Sequence, residues 1–173
     1  MSDLALLPAG THVFVDTNIF YLHFQSKSAT CTAFFNRIAT GEVTGYVDTE
    51  VLSDLIHKLM LAEACAKGLI SQQRAVDLKK YLAAHRTGIA AMHDHQAQFE
   101  DALAIGLKVF PVTKRLLIDT KAERALHGLM TNDSLHLGSM NRHSMSLRNI
   151  VTRDGDFGHI IGVTVWEPMD VIP

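Results

Sequence analysis

The feature that most constrains the fold is alternation. His12–Val15, Thr44–Val47, Lys108–Val112, Asn149–Thr152 and Val163–Trp166 are short runs of β-forming residues. The stretches between them have helical periodicity. Asn18–Phe24 and Thr30–Ala39 read as helical, with Phe34, Phe35 and Ile38 at core spacing. Asp48 or Thr49 caps a helix to about Lys67, ended by Gly68. Its Val51, Leu52, Leu55, Ile56 and Leu59 make a broad apolar stripe. Ser71 caps a further helix to about His85, and Ile89–Ile105 is a less periodic helical segment. Thr113 caps a helix to about His127, and Asn132 or Asp133 opens one through Met140. Strands alternating with helices imply an α/β protein of three layers, α/β/α, with a central, mainly parallel sheet. Pro111 marks its run as an edge or a strand end. Residues 1–11 read as a lead-in. A chain of 173 residues suits one domain spanning 1–173, with a helical segment at about 60–105. It contains no internal repeat, low-complexity tract or linker.

Acids recur where the strands end. Asp16 closes Val13-Phe14-Val15 and is followed by Thr17 and Asn18. Asp48, Glu50 and Asp54 follow the second run, and Glu50 and Asp54 share one helix face away from the apolar stripe. Asp133 meets a helix start in Thr131-Asn132-Asp133-Ser134, and Asp154 and Asp156 follow the Asn149–Thr152 run. Each acid alone has an ordinary explanation: a helix cap at Asp16 or Asp133, a solvated face at Glu50 and Asp54, a tight turn at Asp154-Gly155-Asp156. In a parallel sheet, however, the carboxyl ends of the strands converge on one crevice. Carboxylates gathered there repel one another unless a cation neutralises them. An all-oxygen donor set favours Mg²⁺ or Mn²⁺ over zinc.

Other chemistries have little support. Cys31 and Cys65 are far apart and form no CxxC pair, which argues against a zinc ribbon or redox motif and suits a reducing compartment. His93-Asp94-His95 reads as surface. The formal net charge of −2 means that nucleic acid would have to be met by a local basic patch. Lys67, Arg74, Lys79, Lys80 and Arg86 read as a solvated face, whereas Arg142, His143, Arg148 and Arg153 flank the last two acidic motifs. With neither a signal peptide nor a membrane-length apolar run, the chain reads as cytoplasmic, with no membrane partner.

Three segments carry a family resemblance: Val15-Asp16-Thr17-Asn18-Ile19-Phe20, Thr131-Asn132-Asp133-Ser134-Leu135-His136-Leu137 and Val151-Thr152-Arg153-Asp154-Gly155-Asp156-Phe157. In motif, order and spacing the chain resembles the PIN-domain nucleases, which include the VapC-like toxin ribonucleases. The resemblance covers essentially the whole chain, although residues 60–108 carry little of it. It implies that Asp16, Asp133 and Asp154 bind metal, that Asp156 assists, and that Asn18 and Thr152 orient the cluster. The family's second acid, usually Glu in a Val-Leu-x-Glu-Leu context, falls on Asp54 within Val51-Leu52-Ser53-Asp54-Leu55; Glu50 is the competitor. These acids would serve a Mg²⁺- or Mn²⁺-dependent endoribonuclease acting on RNA. The resemblance further suggests a small antitoxin protein as partner and a homodimer. A non-catalytic PIN-like module binding RNA or protein is the alternative. An aspartyl-nucleophile phosphate enzyme would want a second Asp two residues after Asp16, where Asn18 stands, and no Gly-rich phosphate loop is present.

Overall fold

The computed structural model describes residues 1–71, 73–84, 86–142 and 147–172, with the backbone alone for Leu82 and Ala84. Among the described residues, six strands form one sheet: β1 (Ser2–Asp3), β2 (His12–Val15), β3 (Thr44–Asp48), β4 (Lys108–Phe110), β5 (Asn149–Val151) and β6 (Thr164–Glu167). Their order is β1-β6-β5-β2-β3-β4, and every pairing is parallel. β4 is an edge strand, as Pro111 just beyond it implies. The middle strands carry near-continuous apolar runs because both sheet faces are covered: Val13, Phe14, Val15, Ile150 and Val151 are fully buried. The fold is thus a three-layer α/β/α arrangement around a parallel sheet.

Strand order reverses at β2. β3 and β4 lie on one side of it and β5, β6 and β1 on the other, so the carboxyl ends of β2 and β5 flank a topological switch point, where a crevice opens. The lead-in contains the pairing least visible in sequence. β1 aligns Ser2 with Trp166 and Asp3 with Glu167, too short a run for any two-residue period to register.

The helices are α1 (Thr17–Phe24), α2 (Ala29–Ala39), α3 (Thr49–Ala66), α4 (Ala75–Ala84), α5 (Arg86–Ala90), α6 (Asp94–Ala104), α7 (Lys114–Asp119), α8 (Lys121–His127) and α9 (Thr131–Arg142). The expected caps hold at Asp48, which accepts from the backbone N–H of Glu50 and Val51, and at Thr113, which accepts from Leu116. Gly68 follows α3 in the left-handed conformation (φ +69°) that ends helices without a Cβ penalty.

Four expectations are corrected. The fourth helix starts at Ala75, behind an Arg74–Asp77 pair, instead of directly after Ser71. The helix from Thr113 to His127 breaks at Thr120, which ends α7 and opens α8. At that break α9 comes close: a Cβ on Gly138 would lie 2.5 Å from Thr120 Cγ2, so only glycine lets the helices meet. The segment at 89–105 divides into α5 and α6 because Glu63 on α3 terminates it from outside. Its buried carboxylate accepts from the backbone N–H of His93 (3.0 Å) and His95 (2.9 Å), satisfying orphan donors at the start of α6. His95 is therefore not a surface residue. Its Nδ1 lies 2.6 Å from Glu63 Oε2 with the side chain largely covered, while His93 and Asp94 remain exposed. Around this latch Leu61, Ala64, Ile70, Leu78 and Met92 form a small apolar cluster apart from the main core. Among the described residues no helix is long and apolar enough to cross a membrane.

Candidate metal centre

Asp16 ends β2 and occupies the N-cap position of α1, yet its side chain makes no capping bond. Its Oδ2 instead accepts from Thr152 Oγ1 and Asn18 Nδ2, both at 2.6 Å. The ordinary explanation of Asp16 as a side-chain cap therefore fails, and the carboxylate is held toward the end of β5. Thr152 is buried and central to the arrangement. Besides donating to Asp16, its hydroxyl accepts from Asn18 Nδ2 (3.2 Å) and from the backbone N–H of Asp154 (2.9 Å). Asn18 Oδ1 accepts from the backbone N–H of Arg153 (3.3 Å), so one amide and one hydroxyl lock the ends of β2 and β5 together.

Asp154 does serve the turn. Its Oδ1 accepts from the N–H of Asp156 (2.9 Å) and caps the short 3₁₀ turn Gly155–Phe157. Asp133 approaches from the first turn of α9, whose residues from Ser134 to Met140 are all buried. Asp133, Asp154 and Asp156 each bring a carboxylate oxygen within 4.8 Å of the others. Burial raises the pKa of Asp133, and the negative charges of Asp154, Asp16 and Asp156 raise it further, against a lowering contribution from His136. Four acids from three elements thus share one electrostatic field. Repulsion between them is what a hard cation with oxygen ligands relieves, so the residues present fit Mg²⁺ or Mn²⁺.

Neither candidate for the second acid is one of those three closely approaching carboxylates. Asp54 is half-buried on α3 and forms an i,i+4 pair with Lys58 (2.9 Å). Glu50 is in the first turn of α3, partly buried. Of the basic candidates, Arg153 is exposed beside the centre and lines a cavity with Asn18. Arg142 lies at the other end of α9 from Asp133, roughly 14 Å along the axis, and pairs with Asp119. Arg148 is exposed just before β5, at the opposite end of that strand from Asp154. His143 lies outside the described residues.

One buried group was legible only as a cap. Asp48, fully buried at the end of β3, also contacts His136 Nδ1 (2.8 Å) and accepts from Ser139 Oγ (3.2 Å), both on α9. Its carboxylate joins α3 to the helix that carries Asp133. The signal in sequence is weak: His136 and Ser139 are two polar residues three apart on one face of a helix.

The fold and this centre define a class: a doubly wound α/β protein with carboxylates gathered at its switch point. No protein-family model matches the chain, and no curated protein does. Solved structures do share its fold. A toxin–antitoxin complex from Klebsiella pneumoniae is similar at 17% identity and TM-score 0.52, over 88% of this chain and 95% of that one. VapBC2 from Rickettsia felis, bound to a DNA fragment from their promoter, is similar at 13% identity and TM-score 0.56, over 90% and 98%. At such identities the likeness establishes the fold alone, a PIN-like three-layer α/β/α arrangement around a parallel sheet.

Proposed function

We propose that this protein is a metal-dependent endoribonuclease, working in the cytoplasm as the toxin of a toxin–antitoxin pair, with residues 1–173 acting as one PIN-like domain. The observation that carries the reading is the approach of Asp133, Asp154 and Asp156 within 4.8 Å, with Asp16 held beside them by Thr152 and Asn18. Asp16, Asp133, Asp154 and Asp156 would hold the ion, with Asp54 as the further ligand in preference to Glu50. A bound Mg²⁺ or Mn²⁺ supplies charge neutralisation at the phosphate and a water of lowered pKa. Asn18 and Thr152 keep the Asp16 carboxylate in one orientation, and the Thr152 hydroxyl fixes the backbone that carries Asp154. Arg153 supplies positive charge beside the acids, which an RNA backbone needs in order to approach them. Arg142 and Arg148 are further candidates for the RNA surface.

An antitoxin and a second copy of the chain are the protein partners in this reading. Leu117, Ile118, Leu126 and Met130 expose apolar side chains on and just after α7 and α8, which supports a protein-binding face there. The test of the enzyme is direct. Purified protein should cleave single-stranded RNA in Mg²⁺ or Mn²⁺ and stop on chelation; cleavage that survives complete chelation, or no cleavage by the wild type, rejects it.

A further inference from the structure

Two concavities border Asn18. One, about 310 Å³, is lined by Asn18, Tyr21, Lys58, Leu61 and Gln73. The other, about 380 Å³, is lined by Asn18, Tyr21, Leu22, Lys27, Arg153, Val171 and Ile172. Asn18 and Tyr21 belong to both walls, so the two are halves of one groove divided at α1. Asn18 is the residue whose amide donates to Asp16, which places the shared wall of the groove one side chain away from that carboxylate.

The chemistry of the walls is that of a strand-binding channel. Lys27 and Arg153 stand in one half, and neither is paired with a carboxylate among the described residues. Lys58 stands in the other half, where Asp54 uses one of its three ammonium donors. Cations therefore occur in both halves of the groove, on either side of the shared Asn18, where the phosphates preceding and following a scissile one would lie. Between them is a half-buried aromatic ring. Tyr21 donates its hydroxyl to Gln73 Oε1 (2.7 Å), which ties the ring to the segment before α4 and limits its rotation. A held aromatic ring flanked by cations suits an unpaired base stacked on the ring and a backbone on the basic rims. In a duplex the bases are stacked on one another and the ring could not reach a face.

We infer that this groove seats a single RNA strand across the metal centre, with one base stacked on Tyr21 and its phosphates on Lys27 and Arg153 on one side and Lys58 on the other. The inference rests on the nuclease reading for the identity of the occupant. It adds the stacking residue and the cations that hold the backbone on either side of it.

The test is binding of a fluorescein-labelled 12-nucleotide single-stranded RNA to the full chain carrying Asp16→Asn, in Mg²⁺, by anisotropy across a salt series. Replacing Lys27, Lys58 and Arg153 together by Gln should flatten log K against log salt by about 2, since each lost single-strand phosphate contact removes about 0.7. Tyr21→Leu should weaken binding roughly tenfold or more, while Tyr21→Phe, which keeps the ring, stays close to the parent. A matched RNA duplex should bind more weakly than the single strand. Circular dichroism of each variant separates misfolding from lost contacts, and Tyr21→Phe remains informative if Tyr21→Leu is unstable. An unchanged salt slope in the folded triple variant overturns the groove, even where the wild type cleaves RNA. Equal binding of duplex overturns the single-strand assignment. Groove-dependent binding by a wild type that cleaves nothing upholds the groove and rejects the nuclease reading.

Discussion

His136 Nδ1 lies 2.8 Å from Asp48 Oδ2, and both side chains are buried between β3 and α9. The same carboxylate caps α3 and accepts from Ser139. Burial works against a charge on His136, but the hydrogen bond to Asp48 and the negative charges of Asp48, Asp16 and Asp133 outweigh it, so its pKa is raised. A buried ion pair is costly to make and more costly to break, because the surviving partner is stranded without water. Asp48→Ala should cost roughly 3–5 kcal/mol in urea unfolding, with α3 losing its cap as well.

The sign of the pH dependence follows from the same pair. A histidine whose folded pKa exceeds its unfolded value of about 6.5 contributes fully below that value. The contribution disappears as pH rises through the folded pKa. In EDTA, the stability advantage of wild type over His136→Gln should therefore be largest near pH 6 and shrink toward pH 9. An advantage that stays constant or grows with pH would show that His136 is neutral in the fold.

At the acidic centre, stability and activity should move in opposite directions. Asp133 has its pKa raised by burial and by its acidic neighbours, so its charged form is strained when no metal is bound. Asp133→Asn should raise the melting temperature in EDTA and cut cleavage by more than the 10–100-fold typical of losing an outer-shell partner. Mn²⁺ should stabilise the wild type by mass action and leave the variant nearly unmoved. A variant destabilised in EDTA would mean that Asp133 serves mainly the start of α9.

The two candidates for the second acid make separable predictions. Asp54→Asn should reduce metal-dependent cleavage far more than Glu50→Gln. Glu50 sits in the first turn of α3, where the helix dipole favours an acid regardless of function, so Glu50→Gln should cost only several tenths of a kcal/mol. Measured rates in the reverse order would reassign the ligand to Glu50 and leave Asp54 as the partner of Lys58.

Glu63 should matter for the helical segment and little for chemistry. Burial alone would raise its pKa, but Lys67, His95 and the backbone N–H groups at the start of α6 hold it well below the usual carboxylate range. A depressed acid contributes above its unfolded pKa and loses that contribution only as pH falls through the folded one. Glu63→Ala should cost about 3 kcal/mol or more, with the deficit persisting below pH 4. Amide exchange should quicken in α6 before the central strands. Uniform loss of protection would instead place Glu63 in the cooperative core.

The local regularities of this chain were decided by short-range chemistry, and they are readable as such. Strand runs, the apolar stripe of α3, the caps at Asp48 and Thr113 and the stop at Gly68 depend on residues within a few positions of one another. Alternation of these elements is enough to imply a parallel sheet between helical layers, and acids at the strand ends enough to suggest where a centre would form. Which acids meet was beyond local reach. Asp16 and Thr152 touch because β2 and β5 are neighbours in the sheet, a pairing between runs at opposite ends of the chain. Likewise, Asp48 caps its own helix by local rule, but only the docking of α9 against β3 gives it His136 and Ser139. Glu63 reads as one more polar residue on α3 until the chain returns and presents the backbone of His93 and His95 to it. Helix breaks at Thr120 and before α6 belong to the same category, since a helix can be ended by what packs against it as well as by its own residues. Periodicity reports which face of an element is apolar; it carries no information about which distant polar group will satisfy a donor once water has been excluded.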